Sequence, residues 1–493
     1  MGHSRSTDVS ALFSPALASL LISLAGLGCD VDSAGIDSRA RPVSPADDVP
    51  LAAAQPVSRN GSDGSDGSDG SDGNDGAAGA DGGGDGWVED PAIAFAKKTI
   101  VEGREIFRHE TFGDEAFWGD SLRLHEAIAG VANGGVGAGI SLDTALALGL
   151  KVDIDALSDD ARANLEAGLY DMDDPAVTLE ALKIDAVIGL QATFDQADQI
   201  TTLGVTCALC HSQVDDSFAP GIGHRLDGWP NRDLNVGGIM AAAPDLSAVT
   251  GLLGVDDATL RAVLNDWGLG KFDAFVQLDG IATRPDGSSG ATLIPPLFGL
   301  NGVGLVTWNG FGSLSSWLPL IINIELHGQG SFRDPRLGDP QRYPIAEANG
   351  FDRISHEPDL VSDKLVPLEY YILSMEPPTP PQGSYDPVAA EAGEALFQES
   401  CAGCHVPPLY TPVGWGVIPG FVVGVDSFQS DRSPSLGYRP PPLRGLFTRT
   451  TGGFFHDGRF ETLEDVVDHF NALWDLNFSP TERYELVEFL KSL

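Results

Sequence analysis

Four of the five cysteines in this 493-residue chain fall into two pairs of the same spacing, each followed at once by a histidine: Cys207-Ala208-Leu209-Cys210-His211 and Cys401-Ala402-Gly403-Cys404-His405. C-x-x-C-H is the attachment sequence for c-type haem. Two thiols at that spacing add to the two vinyl groups as thioethers, and the next residue, His, is held under the iron as its proximal ligand. A zinc site built from all four cysteines or a redox-active CxxC leaves both histidines unexplained. Two c-type haems are therefore the expected cofactors, with Cys207, Cys210, Cys401 and Cys404 as attachment points and His211 and His405 as metal ligands.

The chain before these motifs is of two kinds. Residues 11–28 are an apolar run behind a short leader carrying Arg5, interrupted by Ser, Pro and Gly. That run is too broken for a membrane span of about 20 apolar residues and reads as the core of a secretory signal, residues 1–29. It ends at Cys29. A Cys at that place resembles a bacterial lipoprotein signal, although Gly26-Leu27-Gly28 lacks the usual Leu three residues before it. The alternatives are a lipid anchor on Cys29 or a cleaved soluble signal with an incidental thiol. Both place the protein outside the cytoplasm, in the periplasm or cell envelope of a bacterium.

Residues 30–90 carry 14 acidic residues, three Arg and no Lys, with a Gly at every third position from Gly61 to Gly82. Without Pro in the repeat a collagen helix is not expected; the segment reads as a disordered, self-repelling tether. The whole chain has a formal charge of −42. Such acidity argues against nucleic acid as a partner and favours a basic redox protein.

Two stretches share one pattern. Gly393 and Phe397 lie one turn apart on a helical segment before the second motif, and Ser479-Pro480-Thr481-Glu482 opens a final helix with N-cap, N1 proline and capping box. Gly103 and Phe107 repeat the spacing, and residues 365–373 supply a matching helix that the Pro-rich linker EPPTPPQG ends. A Gly-bearing first helix packed on an amphipathic last helix resembles the cytochrome c fold. The expectation is an all-α chain: an enlarged cytochrome c-like domain over 91–382, with 99 residues between Phe107 and Cys207, and a compact one over 383–493.

The C-terminal stretch adds a closer resemblance. Arg439-Pro440-Pro441-Pro442-Leu443-Arg444-Gly445-Leu446, followed by Gly453-Phe454-Phe455-His456-Asp457-Gly458 and Thr462-Leu463-Glu464-Asp465-Val466-Val467, is similar to the signature of the dihaem cytochrome c peroxidase and MauG superfamily, to which dihaem rubber oxygenases also belong. The resemblance covers most of 385–493. It implies that the N-terminal haem handles peroxide or oxygen and the C-terminal haem stores or relays an electron, with calcium as a further cofactor for which the residues give no ligand set. In the peroxidases a Met ligates the C-terminal iron; here that position is Phe470. The chain has four Met, none after Cys401, so a Met ligand from this section is excluded. His456, His469, Tyr410 and Tyr438 remain as sixth-ligand candidates, His456 first. For the N-terminal iron the candidates are His224 and His327. An oxygenase-like pocket would instead be aromatic, with Trp317 and Phe332. Arg444 is the expected partner of a haem propionate.

Two functions follow as expectations. One is an exported dihaem cytochrome that carries electrons. The other is a dihaem peroxidase or oxygenase acting on a small oxidant, with the N-terminal haem as reaction centre and the C-terminal haem as relay.

Overall fold

Asp90 caps the first described helix: its carboxylate accepts a 2.8 Å hydrogen bond from the Ala92 amide, Pro91 occupies the first helical position, and Arg108 and His109 lie in the last turn, where cations suit the helix dipole. The computed structural model describes residues 90–449 and 451–493. The signal with Cys29, and all of the tether but Asp90, lie outside the described residues. No helix among the described residues is long and apolar enough to cross a membrane.

The first helix, α1 (Pro91–His109), crosses α2 (Leu365–Ser374). Gly103 makes the crossing possible, because a Cβ there would fall 1.9 Å from the Pro367 carbonyl oxygen. One turn on, Phe107 is fully buried and meets the Tyr371 ring edge-on at 5.5 Å. The same arrangement recurs at the other end of the chain. Helix α3 (Pro387–Ser400) crosses α5 (Pro480–Ser492), with α4 (Leu463–Leu473) packed beside α5. A Cβ on Gly393 would lie 2.0 Å from the Glu485 carbonyl oxygen. Phe397, fully buried, packs at 5.0 Å on Phe489. Ser479 and Glu482 close the capping box that the sequence predicts.

The described chain is helix-rich but not all-α. Five two-stranded sheets lie between α1 and α2. The longest is the antiparallel pair Leu190–Phe194 and Ile200–Val205, whose second strand leads into Cys207. Alternation and β-branched residues in LQATF and ITTLGV fit strands better than helices, which the haem-frame reading of this insertion passed over. Two π-helical turns, Ala116–Ser121 and Ile321–Glu325, also fall in the inserted part.

The described residues pack as one compact unit. Hydrogen bonds join its two sections across the Pro-rich segment: Asn309 Nδ2 to the Gln429 carbonyl at 2.9 Å, Tyr343 Oη to the Arg432 carbonyl at 2.9 Å and the Leu293 amide to the His456 carbonyl at 2.7 Å. Cys207 packs against the core under α1 and α2, Cys210 against the larger core of the insertion, and Cys401 against the core of α3 and α5.

Candidate functional site

The two CxxCH motifs have the same local geometry. In each, the histidine amide donates to the carbonyl of the first cysteine, at 3.1 Å for His211 and Cys207 and 3.0 Å for His405 and Cys401. In each, the imidazole Nδ1 faces a backbone carbonyl: Pro295 at 3.1 Å from His211, Tyr410 at 2.9 Å from His405. A carbonyl can only accept, so Nδ1 carries the proton and Nε2 keeps its lone pair, the form that ligates a metal. Burial pushes both imidazoles down to about 4, which keeps them neutral. It pushes the Cys207 and Cys210 thiols up to about 12 and the Cys401 thiol up to about 11. Among the described residues no group of three or more His, Cys, Asp or Glu side chains converges as a metal site would require, and the two cysteine pairs sit in separate cores.

Beside the second motif lies a cavity of about 1360 Å³, its open mouth included. Cys401, Cys404 and His405 line it on one side; Phe454, Phe455, Phe470 and Trp474 line it too. Its polar lining includes three arginines besides His405, His456 and Tyr438. Arg232, Arg439 and Arg449 all face it and are at most 7% exposed. The hydrogen bonds of these guanidinium groups go to backbone carbonyls: Arg232 to Ile294 at 2.7 Å, Arg439 to Thr307 at 3.1 Å and Arg449 to Pro442 and Arg444 at 2.8 and 2.9 Å. Arg439 Nη1 and Arg449 Nε have no partner at all. Among the described residues no salt bridge joins any of the three to a carboxylate. Burial lowers the Arg232 and Arg439 pKa values to about 10 and, with the other two arginines adding repulsion, that of Arg449 to about 9.

Three buried cations without counter-charge are costly. The cavity therefore suits a flat, mainly apolar group bearing carboxylates, tethered through two thiols and ligated by an imidazole. Arg444 does not face this cavity. It lines a separate recess with Met375 and Leu409, and its carbonyl accepts from Arg449. The three cavity arginines were missed in the sequence because Arg232 lies some two hundred positions before Arg439, and no local pattern ties them together.

The predicted sixth-ligand candidates scatter. His456 lines the cavity, 2% exposed, with its ring tilted on Tyr438 at 4.9 Å. Its Nε2 lies 3.1 Å from Arg284 Nη2 and accepts from it, since a guanidinium can only donate. Ligation through that nitrogen requires this bond to break. Arg284 is itself held by both Asp426 oxygens at 3.1 Å. His469 is outside the cavity lining and donates from Nε2 to the Val423 carbonyl at 2.9 Å. Tyr438 donates to the Asp426 carbonyl at 2.9 Å.

Around the first motif, Thr206 Oγ1 ties the chain to the Arg108 carbonyl at the end of α1, and the Gly228 amide donates to the His211 carbonyl at 2.8 Å. His224 is at the surface, 56% exposed, paired through Nδ1 with Asp155 at 2.9 Å, and this bond raises its pKa. His327 is half-buried, in left-handed backbone with φ +61°, and stacked on Phe117 at 3.5 Å. Its Nε2 has no partner, and burial lowers it to about 4. Trp317 borders both the core that holds Cys207 and the neighbouring core that contains Phe332. Phe332 is buried in that second core and not in the first.

No family model and no curated protein matches the chain. Among solved structures it is similar to a chain of Kuenenia stuttgartiensis hydrazine synthase pressurised with xenon: 17% identity, 45% of this chain and 85% of that chain covered, TM-score 0.23. Similarity at that level fixes neither fold nor function.

Proposed function

We propose that the chain is an exported dihaem c-type cytochrome that carries electrons through two covalently attached haems. The observation that supports this most is the repeated CxxCH unit in which each histidine amide returns to the first cysteine and each imidazole Nδ1 meets a backbone carbonyl. Bound haem supplies a one-electron iron couple at each site. The protein's part is to hold it. Cys207 and Cys210, and Cys401 and Cys404, tether it; His211 and His405 ligate it; Arg232, Arg439 and Arg449 neutralise its propionates at the C-terminal site. The aromatic wall of Phe454, Phe455 and Phe470 excludes water, which lowers the reorganisation that accompanies electron transfer. An acidic surface steers a basic redox partner, and a lipid on Cys29 with the acidic tether would give the folded part reach from a membrane. Membership of the dihaem cytochrome c peroxidase and MauG superfamily is part of the same proposal.

A second reading, a dihaem peroxidase or oxygenase, is favoured by one observation: a half-buried His327 whose buried Nε2 has no partner among the described residues, in strained backbone, within an insertion that a simple carrier does not need. Low-temperature EPR of the oxidised and half-reduced protein separates the two. Low-spin signals in every state, indifferent to peroxide, support the carrier. A high-spin signal lost on adding cyanide or peroxide means an open iron and the enzyme.

A further inference from the structure

The residue after His211 opens a short strand, Ser212–Val214, that pairs antiparallel with Arg225–Asp227, Ser212 opposite Asp227. Ser212 Oγ donates to Asp227 Oδ1 at 2.9 Å, and the Gly228 amide donates to the His211 carbonyl at 2.8 Å. The chain just past His211 is thus tied to Asp227 and Gly228.

The other Asp227 oxygen gathers the two crossed helices. Arg108 Nε, in the last turn of α1, and Tyr371 Oη, on α2, both donate to Oδ2 at 2.6 Å. The Arg108 carbonyl in turn accepts from Thr206 Oγ1, beside Cys207, at 3.1 Å. The Asp227 side chain is 7% exposed. Burial and the carboxylate push the Tyr371 phenol above its ordinary range, so it stays a donor. A buried carboxylate that accepts three bonds, one of them from a guanidinium, is held in a single place. One side chain therefore joins α1, α2 and the residues on either side of the first motif. The second motif cannot repeat this: His405 leads into Val406-Pro407-Pro408, which carry no side-chain donor.

We propose that Asp227 is a positioning residue for His211 and that its charge, opposed by Arg108, tunes the reduction potential of the N-terminal haem. This rests on the dihaem-carrier reading, which puts haem on Cys207 and Cys210. A group bonded to the residue next to an iron ligand orients that ligand and tunes the metal. The carboxylate favours the oxidised iron, which carries one more positive charge, and the guanidinium favours the reduced one.

The test is a potentiometric titration of the full-length holoprotein, followed by haem absorbance, once intact mass has counted the haems. Asp227→Asn keeps the shape and removes the charge. It should favour reduction in one of the two one-electron steps about tenfold, a rise of about 59 mV, and leave the other step in place. Arg108→Gln removes the opposing charge and should lower the same step. Loosened packing alone would move both variants in one direction. Cys401→Ser with Cys404→Ser keeps only the N-terminal haem and should retain the step that responds. The proposal is overturned if neither variant moves a step, if both shift it the same way, or if the step that moves is lost with Cys401 and Cys404. A chain with no haem on Cys207 and Cys210 would overturn the carrier reading along with it.

Discussion

The two CxxCH sites are alike in their first few ångströms and unlike beyond them. Each has a Gly-crossed helix pair beside it, each histidine amide returns to the first cysteine, and each Nδ1 is spent on a carbonyl. The C-terminal site then opens into an apolar cavity ringed by Arg232, Arg439 and Arg449. At the N-terminal site the predicted partners lie apart: His224 on the surface with Asp155, His327 stacked on Phe117, Phe332 in a neighbouring core. The geometry of each motif is local to five residues. Its surroundings are assembled from distant segments, and here they differ between the two sites.

The largest expected effects test the likeness. Cys401→Ser with Cys404→Ser, or Cys207→Ser with Cys210→Ser, should each halve the covalently bound haem, measured by haem absorbance after denaturation and extraction. If either pair leaves the full amount, that motif is not an attachment site. Next comes the helix crossing that frames each site. Gly393→Ala and Gly103→Ala each force a methyl against a backbone carbonyl and should destabilise by about 2–3 kcal/mol in urea unfolding. A neutral result at one glycine would break the parallel between the halves.

Acid stability sharpens the contrast. His211, His327, His405 and His456 are each held down to about 4 by burial. An imidazole free in the unfolded chain titrates near about 6.5, so the unfolded state takes the proton first as the pH falls. Stability is then full above about pH 6.5 and is lost between that pH and about 4, by up to about 1.4 kcal/mol per pH unit for each unligated imidazole. A histidine bound to iron drops out of this count. If His211 and His405 are the ligands, urea titrations should find a slope for two imidazoles, not four.

The smallest effect separates the arginines. Arg449→Leu removes a buried cation beside the C-terminal cavity. It should lower the reduction potential of that haem by on the order of 50 mV, since about 59 mV is a tenfold change for a one-electron couple. Arg444→Leu should leave that potential unchanged.

Much of the frame was legible in the sequence. Gly103, Phe107, Gly393 and Phe397 mark the helix crossings, and Ser479 and Glu482 mark the final helix, because caps and close contacts leave local signatures. The hairpin over 190–205 was not read, since a helical template was laid over an insertion whose strands are short. The Pro-rich run points to Arg444, which lines a separate recess; past the turn at Gly445, φ +70°, Arg449 lines the cavity with Arg439 and Arg232, a grouping that no local pattern marks.

The central claim is two haems fixed covalently on one chain, and the intact mass of the denatured protein tests it most directly. Produced in a host that exports and matures c-type cytochromes, the chain should carry the mass of two haems, and His211→Gly or His405→Gly should leave that mass in place while changing the spectrum. A mass showing one haem or none would contradict the account.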